Sequence, residues 1–269
     1  MRLRWLALYP LVYGAAFLAV AGSLDGSARD GFVAWQRIAL RVFAIAGCYA
    51  AASVFEAGDR LRRAWMWAGI GTAIILVRDL LRQFPRFWPN PDSQAEAILT
   101  ALGILSNLAL LAGIWMLARA WKLVTLERPG GRAGMAAIVV ASAVVALGVA
   151  GPGAIQSIRE VAGGHWDYLI LVVSALVDVI SLCLIAPLLL TAVALRGGLF
   201  FWPWALITAS RLAWVFYDAA ALAPETGLPL AELFRGLAQS YVGVAGLAQL
   251  LVVRHVRNRT RAAPPEGAG

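Results

Sequence analysis

The chain is poor in the residues from which most soluble chemistry is built. Histidine occurs twice, at His165 and His255, and cysteine twice, at Cys48 and Cys183. Both histidines fall at the margins of apolar stretches, so no imidazole is expected within the membrane to hold haem, zinc or a di-iron centre. Both cysteines lie within apolar runs, where a thiol behaves as a small core residue, and they form no disulfide framework. Lys122 is the single lysine, which leaves no amine within a helix for a Schiff base. A Gly-x-Ser-x-Gly elbow, a His-Glu-x-x-His pair and a Gly-x-x-x-x-Gly-Lys loop are all missing, and with them common hydrolase and nucleotide-binding signatures. No metal, cofactor or catalytic residue is expected. Long polar stretches are missing too. The longest, Pro85–Gln94 and Arg254–Gly269, cannot bury a core, so no kinase, nuclease or transferase domain fits within this chain.

What is present is apolar. Of the 269 residues, 61% are hydrophobic and 14% charged, against roughly half apolar in ordinary soluble domains. Runs of about eighteen or more apolar residues recur along the chain, the length needed to cross a bilayer. The expected fold is all-α, a polytopic membrane bundle of about eight transmembrane helices. The expected spans are 5–21, 32–57, 64–82, 95–122, 133–150, 166–195, 199–222 and 230–253, followed by a disordered tail over 263–269. Gly151-Pro152-Gly153 is expected to end the fifth helix. That helix, nearly all Ala, Val and Gly, is expected at a closely packed position, because small residues let backbones approach. Ala19-Val20-Ala21 also fits a signal-peptide cleavage pattern, but a retained first helix is favoured because it has a counterpart in the fifth.

That counterpart belongs to an expected internal repeat. Trp65–Asp79 resembles Trp204–Asp218: each begins with tryptophan and reaches aspartate, and each is followed by a proline-containing loop and an acidic helix start at Glu96 or Glu232. Two parallel four-helix repeats, 1–130 and 131–262, would follow.

The formal charge of +8 invites a nucleic-acid reading, which its placement opposes. The arginines stand at helix ends, where they set orientation and meet anionic headgroups. One side collects Arg2, Arg4, Arg60, Arg62, Arg63, Arg119, Lys122, Arg128, Arg132, Arg196, Arg254, Arg257, Arg259 and Arg261, while most acids fall on the other. The positive-inside rule then puts both termini in the cytoplasm of a cell whose inner membrane holds the chain, a bacterial setting. The expected partners are the bilayer and a small anionic or amphipathic ligand. A membrane-protein partner or a second copy is left open, and nucleic acid is not expected.

Two charges stand deep in apolar helices. Arg211 lies about 16 Å along its helix from Phe200, and Asp178 about 18 Å along its own from Trp166, at about 1.5 Å per residue. In a hydrocarbon core about 30 Å thick both fall near the midplane on adjacent antiparallel helices, where mutual pairing lowers the cost of each charge. Ser174, Asp178 and Ser181 share one helical face, as do Thr208, Arg211, Trp214 and Asp218. The eighth helix presents Glu232, Arg235, Gln239, Gly246 and Gln249 along one stripe. The candidate ligand-binding residues are therefore Asp178, Arg211, Asp218, Trp214, Ser174 and Gln239, with Arg37, Arg41, Arg78 and Arg82 as candidates for an outer vestibule. The competing reading makes the central pair a register-fixing ion pair and sends the outer arginines to headgroups. Trp35, Trp88, Trp166 and Trp202 read as interface anchors.

The run Asp178…Leu195-Arg196-Gly197-Gly198, then Trp204…Trp214…Tyr217-Asp218, then Tyr241 and Arg254-His255-Val256-Arg257, resembles the multi-helix membrane input regions of bacterial sensor proteins. It covers about the last third of the chain. Those proteins continue into a cytoplasmic kinase or cyclase module that has no counterpart in these residues, so the resemblance implies sensing through a separate partner. A membrane sensor or ligand-binding protein is the first expectation. A small transporter or channel subunit and an assembly subunit of a membrane complex are the alternatives.

Overall fold

The computed structural model describes residues 3–83, 93–121, 131–194, 198–222 and 229–262. Within them lie eight α-helices and no strand: α1 (Leu3–Ser23), α2 (Gly26–Ala52), α3 (Arg60–Gln83), α4 (Ser93–Trp121), α5 (Gly131–Ala162), α6 (Leu169–Ala194), α7 (Phe201–Leu222) and α8 (Leu230–Ala262). Seven of them are long and apolar enough to cross a membrane; α7 falls short by composition. Its 22 residues suffice in length, but Arg211, Asp218 and three tryptophans lower its hydropathy. The bundle tolerates that polarity because α7 sits between α6 and α8 with Thr208, Ser210 and Arg211 turned inward and Leu212 and Phe216 outward. Many large apolar side chains, chiefly Val, Leu, Ile and Trp, are exposed along the helices, an exterior suited to lipid. This is an integral membrane helix bundle.

The helices alternate in direction, which puts the Arg60, Arg119 and Arg257 ends together. The main apolar core lies in that basic half, where Leu3, Ala51, Trp65, Leu117, Leu188, Trp204 and Val252 join one cluster. A smaller cluster of Phe17, Ala21, Val33 and Leu233 ties α1 to α2 and α8 near the opposite end. Glycines set the closest crossings. A Cβ on Gly47 would strike the backbone of Gly243, and one on Gly246 would strike the backbone of Gly47, so α2 and α8 touch main chain to main chain. The crossing of α3 with α4 uses Gly71 and Gly113 in the same way, and Ser106 Oγ donates across it to the Gly71 carbonyl at 2.8 Å.

Several expectations are corrected. Helix α5 runs through Pro152 to Ala162 instead of stopping at Gly151; a long apolar helix absorbs one missing N–H when its neighbours re-satisfy the freed carbonyl. Nor is α5 closely packed. It rests on α6 and α7, but Val140, Val144 and Leu147 are exposed, and a Cβ at Gly148 or Gly151 would meet nothing within 4 Å. A helix small on every side carries no signal for which face is covered. Helix α2 begins at Gly26 and ends at Ala52, several residues earlier than its apolar run. Helix α8 continues through Arg254 and Arg257 as far as Ala262, since arginine is a good helix former once outside hydrocarbon. The expected tail over 263–269, Trp88, most of Pro85–Gln94, and Arg2, Lys122, Arg128 and Arg196 lie outside the described residues.

Candidate functional site

In the half of the bundle opposite the main core, side chains from α2, α3, α4, α6, α7 and α8 line a cavity of about 380 Å³. The apolar core closes it toward the basic end. Toward the other end its lining includes the exposed Arg82, Glu96 and Asp167, which mark the mouth.

Each sequence-predicted site residue has a place here. Asp178, Arg211, Asp218, Trp214, Ser174 and Gln239 all line the cavity, and so do Arg37, Arg41, Arg78 and Arg82. The site is thus wider than helices six to eight. Asp178 Oδ1 stands 3.8 Å from Arg211 Nη1, with both side chains almost fully buried. Arg211 Nη2 also donates to Ser210 Oγ at 3.4 Å.

Among the outer arginines, Arg41 does not reach for headgroups. It is 3% exposed, and its Nη2 lies 2.7 Å from Asp79 Oδ2. Sequence reasoning missed this second buried pair, because Asp79 sits four residues from the end of α3 and reads as one more acid at the surface. The signal available was positional: Arg37 and Arg41 share a face of α2, a helix otherwise apolar on its buried side. Asp79 and Asp218, the matching ends of the two repeated segments, both line the cavity. The ion pairs place Asp79 with Arg41 and Asp178 with Arg211.

A further network braces the mouth. Arg37 Nη2 donates to Glu232 Oε1 at 2.8 Å, and Arg235 Nη1 donates to Glu232 Oε2 at 3.2 Å. One carboxylate therefore serves two guanidinium groups, leaving net positive charge. Arg235 Nη2 also donates to the Tyr217 hydroxyl, and the guanidinium carbon sits 4.7 Å from the centre of that ring, within cation–π range. Next to it, Gln36 Nε2 and the Tyr13 hydroxyl are hydrogen-bonded, bringing α1 into the same polar layer. Of the tryptophans expected at the interface, Trp35 and Trp166 are exposed and Trp202 is half-buried.

Not every polar atom in the cavity wall is spoken for. Arg41 Nε and Nη1, Arg78 Nε, Gln239 Oε1 and Asp218 Oδ2 are buried and have no hydrogen-bond partner among the described residues, and Asp79 Oδ2 meets Arg41 as an ion pair without hydrogen-bond geometry. Such groups are rare in folded proteins, because each forfeits its hydration without compensation. Among the described residues no group of three or more His, Cys, Asp or Glu is arranged to hold a metal ion. Chemically, the described wall supplies charge-assisted donors from its arginines and acceptors from its carboxylates, Gln239 and the hydroxyls of Ser106 and Ser174.

No protein-family model, no curated protein and no solved structure matches this chain. The cavity's chemistry must carry the functional reading.

Proposed function

We propose that this membrane protein is a ligand-binding protein of sensor type, whose cavity takes a small ligand bearing an anionic group. The observation that supports it is the set of buried, unpartnered guanidinium N–H groups on Arg41 and Arg78 lining a 380 Å³ cavity. A buried arginine without a full set of acceptors is costly, and a carboxylate or phosphate would supply them with short, charge-assisted bonds. The mouth lies at the end away from the basic helix termini. With those termini in the cytoplasm, ligand enters from outside or from the outer leaflet.

The test is thermal stability of the purified protein in nanodiscs, titrated with inorganic phosphate and with short-chain carboxylates. An anion present at about a hundred times its Kd stabilises by about 2.7 kcal/mol, a shift that is easily read. Arg78→Gln should abolish the shift. Absence of stabilisation by every anion, or an undiminished shift in Arg78→Gln, would count against the reading.

A transporter built from two parallel repeats is the second reading, and one observation favours it. Exchanging the halves maps α2 on α3 to α6 on α7, α3 on α4 to α7 on α8, and α2 on α8 to α6 on α4, and all six contacts exist. Helices α1 and α5 depart from the pattern, α1 packing on α8 and α5 on α6 and α7. Flux of a labelled ligand into proteoliposomes, at a rate above that of protein-free vesicles, would favour transport over sensing.

A further inference from the structure

The cavity's charges sort by wall, and this narrows the ligand class. Two of its arginines are neutralised by buried aspartates, Arg41 by Asp79 and Arg211 by Asp178. Arg37 and Arg235 share Glu232. Arg78 of α3 makes no ion pair within 4 Å among the described residues. Asp218 of α7 likewise makes no ion pair within 4 Å among the described residues. Arg78 and Asp218 line one cavity without pairing with each other, so neither satisfies the other. The same cavity wall holds further buried polar atoms without a hydrogen-bond partner: the donors Arg41 Nε and Nη1, and the acceptor Gln239 Oε1 in addition to Asp218 Oδ2.

A plain anion would satisfy the guanidinium groups and leave the Gln239 and Asp218 acceptors empty, the latter a carboxyl that repels it. A plain cation would meet the arginines. A molecule with an anionic group at one end and a donor of positive charge at the other satisfies both ends. Resting on the anion-binding reading above, we propose that the ligand is a small zwitterion. Its carboxylate or phosphate is held by Arg78 and the free edge of Arg41, and its ammonium is held by Asp218 and Gln239. Trp214, which also lines the cavity, offers an aromatic face to the cationic end. Specificity of this kind is strong, since a ligand lacking one end leaves a buried polar group bare.

The experiment is a binding series on the full chain in nanodiscs, using the ω-amino acids from glycine to 6-aminohexanoate. Each is compared with the fatty acid of equal length and with the alkylamine of equal length. One chain length of zwitterion should bind at least tenfold tighter than either matched analogue, and that length reports the span between the two ends. Asp218→Asn and Gln239→Leu should each erase the preference for the zwitterion over the fatty acid of equal length, and Asp218→Asn, which removes a carboxyl that repels an anion, should tighten fatty-acid binding. Arg78→Gln should remove binding of both. If fatty acids or phosphate bind as tightly as every zwitterion, or if Asp218→Asn leaves the preference intact, this inference fails while anion binding stands. If neither zwitterions nor anions bind, the function proposed above fails with it. The melting temperature of each variant without ligand, expected close to that of the parent for Asp218→Asn, separates lost binding from lost folding.

Discussion

On one wall of the cavity Arg41 of α2 and Asp79 of α3 meet at 2.7 Å; on the other, Arg211 of α7 and Asp178 of α6 stand 3.8 Å apart. Both pairs are buried, and both join consecutive antiparallel helices. They differ in what surrounds them. The first wall is clamped by glycine crossings that bring α2 against α8 and α3 against α4, so its guanidinium has little room to move. The second wall is backed by α5, a helix whose outer face is open. The two pairs differ in depth as well. Asp79 lies about 6 Å from the end of α3, while Arg211 lies about 16 Å from the corresponding end of α7, at about 1.5 Å per residue. The same two residue types thus make a tight brace near the mouth and a looser pair at the cavity floor. A loose pair is the one a ligand or a helix movement can open at smaller cost.

Breaking the tight brace should have the largest effect. Asp79→Ala strands a buried guanidinium and should cost about 3–5 kcal/mol, read as a fall in the melting temperature of the detergent-solubilised protein. Next comes its packing support. Gly47→Leu forces α2 away from α8 and should cost about 3 kcal/mol, the upper part of the range for overpacking, with reduced monodisperse yield on size exclusion. The floor pair should cost less, about 1–3 kcal/mol for Asp178→Ala, and exchanging the two charges (Asp178→Arg with Arg211→Asp) should restore part of it. Equal losses at Asp79 and Asp178 would erase the contrast between the walls. Harmless single changes at Asp178 and Arg211 would show that they do not act as a pair. On α5, Gly148→Leu should change stability by no more than about 0.5 kcal/mol, since it enters open space. Last, with no energetic cost, cysteines introduced at the exposed Glu56 and His165 report sidedness: His165→Cys should label from outside intact cells and Glu56→Cys only after permeabilisation.

How much of this was legible beforehand differs between residues for physical reasons. Helix number and order were readable because an apolar run of membrane length is a local property of the chain. Helix ends were less so: α2 stops at Ala52 inside an apolar run, and α8 continues past one, because hydrogen bonding and loop geometry decide where a helix ends. Asp178 and Arg211 stood out because charge at mid-helix is conspicuous. Asp79 did not, since an acid within one turn of a helix end looks solvated until a neighbour covers it. The Glu232–Arg235 pair was visible at i,i+3, but Arg37 as its third member was not, being 195 residues away.

By itself, then, the sequence determined that the chain is a membrane helix bundle, that its charges gather at helix ends, and that two of them lie at depth. These follow from composition and from spacing along single helices. Only the tertiary structure decided that six helices share one cavity, that Arg41 belongs to Asp79, that α5 is peripheral, and that Arg78 and Asp218 line that cavity with no ion pair among the described residues. Each of those depends on which helix faces become neighbours. Close backbone crossings at a few glycines govern that choice, and helical periodicity, which repeats every 3.6 residues on every helix alike, carries no record of it.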